Sequence, residues 1–299
     1  MTGLSGLIRR DSKMFFKDKG MFFTSLITPI ILLVLYATFL ADVYKESFAA
    51  NLPAGFNLPE GLIDGFVGSQ LFSSLLAVSC VTVTFCSNML MVQDKVSGAR
   101  FDLTVSPVKS STMALGYYIS SVLTTLIVCY GATGVCFLYL SKVGWYLSAA
   151  DVIKVLADVF LLVLFGTAIS SVINFFLSSQ GQISAVGTIV SAGYGFICGA
   201  YMPISQFGEG LQKVLSFLPG TYGTALIRNH AMNGVFREMS EIGFPSEVIK
   251  GIRDSIDCNV YFFEDSVSIG AMYAILGGAI ALLILAYVLL NVFVRKRSN

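Results

Sequence analysis

The residue types that do chemistry in proteins are scarce in this 299-residue sequence, and poorly placed for it. It has one histidine, His230, in a polar stretch of the second half, where a lone exposed imidazole reads as structural or incidental rather than as a catalytic base. There is no G-x-S-x-G elbow, no H-E-x-x-H and no pair of carboxylates inside an apolar run. Five of the six cysteines (Cys80, Cys86, Cys129, Cys136, Cys198) fall in apolar runs and behave as small hydrophobes. Cys258 stands alone in a polar segment, so neither a disulfide framework nor zinc-type spacing is present. The phosphate-binding pattern G-x-x-x-x-G-K-[ST] is also missing. These observations predict a chain that is not an enzyme and holds no metal or cofactor of its own. Any uphill work would have to be powered by a partner.

The remaining sequence predicts what positions such a chain. Hydrophobic residues make up 55% and charged residues 12%, about half the charge of a soluble domain. The net charge of +1 points to no nucleic-acid partner. Six apolar runs are long enough to cross ~30 Å of hydrocarbon: 21–40, 69–92, 113–140, 159–177, 183–201 and 267–293. None contains Lys, Arg, Asp, Glu or His, and Asp158 sits at the mouth of the fourth. The expected fold is therefore an all-α integral membrane protein with six transmembrane helices, forming a single transmembrane domain over 1–299. Eleven of the 19 Lys and Arg lie in the N-terminal segment, the connection between spans two and three, and the tail Arg295-Lys296-Arg297. Fourteen of the 18 acids lie on the other face. The bias towards cytoplasmic cations puts both termini in the cytoplasm. The first run exceeds the 7–15 apolar residues usual in a signal peptide, so it is expected to stay as an anchor. The polar groups within the runs, notably Asn88 and Asn174, are expected to join helices to one another.

Three segments between the spans carry further information. Residues 1–20 place Leu4, Leu7, Ile8 and Phe15 near one helical face and Arg9, Arg10, Lys13 and Lys17 largely on another. This is the pattern of an interfacial helix, although a basic flank that only sets topology would share it. Residues 202–227 are too polar to span and too apolar for a free loop. Phe207, Leu211, Val214, Leu215 and Leu218 recur at helical spacing, and Pro219-Gly220 interrupts them. Two readings stay open, a re-entrant helix pair (with Pro203, Pro219 and Gly220 at its breaks) or an amphipathic helix on the outer surface. Residues 228–265 are expected to form a small helical extracellular segment, with Ser246 as a helix N-cap.

The connection 93–116, QDKVSGARFDLTVSPVKSSTMALG, resembles the loop after the second span in type-2 ATP-binding-cassette exporter permeases. Asp94, Gly98, Ser106-Pro107 and Gly116 occupy the positions of that family's acidic start, glycine, small-Pro pair and span-entry glycine, while the run of Glu common there is thinner here. Residues 9–36 are similar to the family's interfacial helix and first span. Residues 199–228 resemble its fifth-span exit, re-entrant pair and closing arginine, Arg228.

The resemblance implies a coupling helix in 93–112 that docks on a separate ATPase subunit. Gln93, Asp94, Lys95, Gly98, Arg100, Phe101 and Asp102 would carry the contact, with Phe101 as an aromatic anchor inside a charged rim. It implies a dimer, of two copies or with a paralogous permease, surrounded by membrane lipid. Gly187, Gly193, Gly195 and Gly199 are small enough for close helix approach in that interface or within one subunit. ATP and Mg would be bound by the partner. The expected function is export of a lipophilic or amphipathic cargo, such as a drug, antimicrobial peptide or lipid, across a bacterial plasma membrane. Export of a lipid-linked polysaccharide is the alternative within transport, and a non-transporting scaffold or immunity protein the alternative outside it.

Overall fold

The computed structural model describes residues 2–36, 39, 41–42, 45, 59–106, 108–263 and 265–298. Pro107, the end of the first expected span at 37, 38 and 40, and the side chains of Arg295, Lys296 and Arg297 lie outside the described residues. Among the described residues the regular elements are helices, except for a two-residue antiparallel pair, β1 (Tyr261–Phe262) with β2 (Asp265–Ser266).

Two helices open the fold, α1 (Thr2–Lys17) and α2 (Lys19–Leu35), bent by 72° at Asp18. The Asp18 carboxylate accepts the Met21 amide at 3.0 Å and so starts α2. The centre is α3 (Glu60–Asn88), buried along nearly all of its length. It breaks at Met89 into α4 (Leu90–Val96), and Gly98, at φ +81, turns the chain into α5 (Ala99–Val105). That left-handed backbone strains any residue with a Cβ, so glycine is required there. Around α3 pack α6 (Ser110–Val143) and α7 (Ala149–Phe176), followed by α8 (Gln180–Ile197). Ser148 with Asp151, and Ser179 with Gln182, form reciprocal caps that fix where α7 and α8 begin. A 3₁₀ turn (Ile204–Gln206) leads to α9 (Glu209–Leu215), α10 (Pro219–Glu241), α11 (Ser246–Ser255) and the final α12 (Ile269–Ser298).

Among the described residues four helices are long and apolar enough to cross a membrane: Gly61–Val96, Ser110–Val143, Ala149–Phe176 and Ile269–Phe293. Counting the bent α1–α2 pair as one span gives up to five. The apolar surface is turned outwards on these helices, with Ile30, Val34, Val135, Leu138, Leu282 and Phe293 all about half exposed or more. A soluble protein rarely tolerates so continuous an apolar exterior. Inside, α3 buries its hydroxyls by returning them to its own carbonyls, Ser79 to Leu75 at 2.6 Å and Thr82 to Val78 at 3.0 Å. Ser87 meets Thr124 of α6 at 2.6 Å, and Asn88 reaches Ser170 and Ser171 of α7 at 3.0 and 2.7 Å.

Several expected boundaries shift. α7 begins ten residues before the expected fourth span, taking Asp151, Lys154 and Asp158 into the helix, because hydropathy marks only the apolar part of a longer rod. α8 stops at Ile197 and the chain reverses at Gly199, φ +73. The largest correction concerns 202–265. The expected division at Arg228 falls in the middle of α10, one continuous helix that is buried along most of its length and carries Arg228, Asn229, His230 and Asn233. Its composition is too polar to look buried, yet each of these side chains has a partner.

Candidate functional site

Residues 93–102 form a junction at one end of the bundle. Asp94 is 2% exposed. Its carboxylate accepts both guanidinium nitrogens of Arg10, at 2.7 Å each, and the Tyr117 hydroxyl at 2.6 Å, so one side chain holds α1 and α6 together. A two-pronged, charge-assisted pair of this kind fixes geometry as well as contributing energy. Lys95 donates to the carbonyls of Asn174, Phe175 and Leu177 at 3.0, 2.6 and 2.8 Å, capping the end of α7. Arg100 reaches Asn291 of α12 at 3.2 Å. Three charged residues of one short segment therefore grip four other helices.

The placement of the expected site residues follows from this. Asp94, Lys95 and Arg100 point into the chain's own structure, and Gln93 is half-buried beside them. Facing outwards are Phe101, 70% exposed, Val105, 69% exposed, and Asp102. Of the α1 cations, Arg9, Lys13 and Lys17 are exposed while Arg10 is drawn inwards. Among the small residues, Gly187 lies against Met89, Gly195 lies under the Tyr201 ring, and the Gly199 carbonyl accepts from Arg228 at 2.7 Å. Gly193 faces open space. Pro203 precedes the 3₁₀ turn and Pro219 is the first residue of α10, where a missing N–H is harmless. Gly220 gives room to the Tyr194 ring.

The opposite end contains a second polar assembly. Arg228 is fully buried, donating to Ile256 and Gly199 carbonyls at 2.7 Å each and lying 3.6 Å from Asp257. Burial pushes the Asp257 carboxyl up from its ordinary range, against the pull of Arg228 and the Ile204 and Ser205 amides. His230 is also buried, a correction to the exposed position expected for it: Nδ1 lies 2.6 Å from Asp158, which accepts the Tyr273 hydroxyl at 2.5 Å. Asp151 holds Asn233 at 2.8 Å. These pairs were not foreseen, since Asp158 and His230 are 72 residues apart. The only hint in the sequence was an acid at the mouth of an apolar run.

Fold and site together define a multi-pass, all-helical membrane protein with a braced platform of short helices at one end of its bundle. The family model for ABC-2 type transporters matches residues 2–230, most of the chain, and the protein belongs to that family. A comparison with curated proteins finds no match. As a permease subunit the chain is a transport component rather than a catalyst. Among the described residues no three metal-ligating side chains are gathered.

Proposed function

We propose that this chain is the permease half of an ATP-driven exporter, in which two permease chains pair with two separate ATPase subunits. The observation that carries the reading is the α4–α5 platform, braced by Asp94, Lys95 and Arg100 while Phe101, Asp102 and Val105 project from it. A rigid base with an exposed aromatic anchor is what a docking partner needs in order to push on the bundle. The basic residues of that end favour the cytoplasm, where ATP is available.

In this reading α1 lies along the membrane interface, and α2, α3, α6, α7, α8 and α12 make six crossings. The turn from Tyr201 to Leu218 dips into the outer leaflet. The setting is a bacterial plasma membrane, and the chain needs no cofactor beyond the ATP and Mg held by its partner. Spans whose apolar, aromatic-rich runs hold no Lys, Arg, Asp or Glu suit a lipophilic or amphipathic cargo better than a bare ion. The test is purification of the tagged chain in mild detergent from cells with its native neighbours. Recovery of an ATP-hydrolysing subunit near equal amounts supports the reading, and a folded chain that emerges alone contradicts it.

A further inference from the structure

Lys95 differs from Arg10, Asp94 and Arg100 in that its hydrogen bonds go to main-chain atoms. Its ammonium holds the carbonyls of Asn174, Phe175 and Leu177 and lies 5.5 Å from the centre of the Phe175 ring. These acceptors sit at the C-terminal end of α7, where a helix has unfilled carbonyls and a negative dipole end. A grip on the backbone moves the helix itself. The Arg10–Asp94 and Arg100–Asn291 links join two side chains and can yield by rotamer changes. From this grip α7 runs 28 residues, about 42 Å at 1.5 Å per residue. At its other end Asp151 and Asp158 hold Asn233 and His230 of α10.

We propose, resting on the transport reading above, that Lys95 is the positioning residue that makes α7 follow the platform. Displacement of α4–α5 by the ATPase then travels along α7 as a rigid rod and reaches α10 at the far end. The links to α1 and α12 keep the platform seated but do not carry this movement.

The test is hydrogen–deuterium exchange on the whole permease–ATPase complex in lipid nanodiscs, with and without ATP plus vanadate. In the wild type, nucleotide trapping changes exchange in 93–105, in the turn 177–182 and in α10. Lys95→Met retains the nucleotide-dependent change in 93–105 and loses it in 177–182 and α10. Lys95→Arg, which keeps donors for the carbonyls, restores it. A merely structural role would alter exchange equally with and without nucleotide. If Lys95→Met fails to assemble, Lys95→Leu, which also lacks a donor, is read in the same way. A Lys95→Met or Lys95→Leu variant that still transmits the change to 177–182 and α10 as the wild type does overturns the inference. A wild-type complex with no nucleotide-dependent change anywhere overturns the transport reading and this inference with it. Loss of transmission confined to the Met and Leu variants leaves that reading standing and supports the tie.

Discussion

The two ends of the bundle use charge in opposite ways. At the α4–α5 end, charges on a short segment reach outwards to α1, α6, α7 and α12, and the segment keeps Phe101 and Val105 exposed. At the α10 end the polar residues lie along one long helix, and those from Thr221 to Asn233 are turned inwards while Arg237, Ser240 and Glu241 are exposed. Arg228 holds the carbonyls of Gly199 and Ile256, and His230 holds Asp158. The first arrangement braces a surface that the proposed reading assigns to an external partner, whereas the second ties distant segments of the chain to one another. A charge pair in a helical membrane protein can thus either brace a short exposed segment or join distant parts of one chain.

Substitutions can break this contrast, and the largest effect is expected at the closed end. Arg228→Ala removes two carbonyl contacts and leaves Asp257 buried without its cation, which costs about 3–5 kcal/mol. It is measured as a fall in thermal midpoint of the detergent-solubilised chain. Phe101→Ala does the reverse. Being 70% exposed, it changes stability little, but it weakens binding to the ATPase by about 2 kcal/mol, roughly 30-fold, as read by titration of one purified subunit with the other. Asp94→Ala falls between the two. It frees Arg10 and Tyr117, costs about 1–3 kcal/mol, and exposes α1 to limited trypsin cleavage after Arg9 or Arg10. The smallest expected effect is Ser148→Ala, which removes one half of the α7 cap for about 1 kcal/mol and leaves ATPase binding unchanged.

Much of the architecture was legible in the sequence, because a run of apolar residues without charge has few places to go except a membrane. The apolar parts of α3, α6, α7 and α12 were found that way, with ends displaced where the helix continues into polar residues. The direction in which charges face was not legible. Asp94, Lys95 and Arg100 look like a solvated rim, and only the fold brings Arg10 to Asp94 across 84 residues and Asn291 to Arg100 across 191. The buried course of α10 was hidden for a related reason. Hydropathy scores Arg228, Asn229 and His230 as surface, whereas burial depends on partners supplied from distant positions: Ile256, Cys258 and Asp158.

The central claim is that the exposed face of α5 meets an ATPase while the opposite end does not. It is tested most directly by placing a photo-crosslinking amino acid at Phe101 and, separately, at Phe262 in β1, and illuminating cells that contain the native neighbours. The account predicts a crosslinked adduct from position 101 whose added mass is an ATP-binding subunit, and none of that mass from position 262. Absence of the adduct at 101 from properly inserted protein, or an equal adduct at 262, would contradict it.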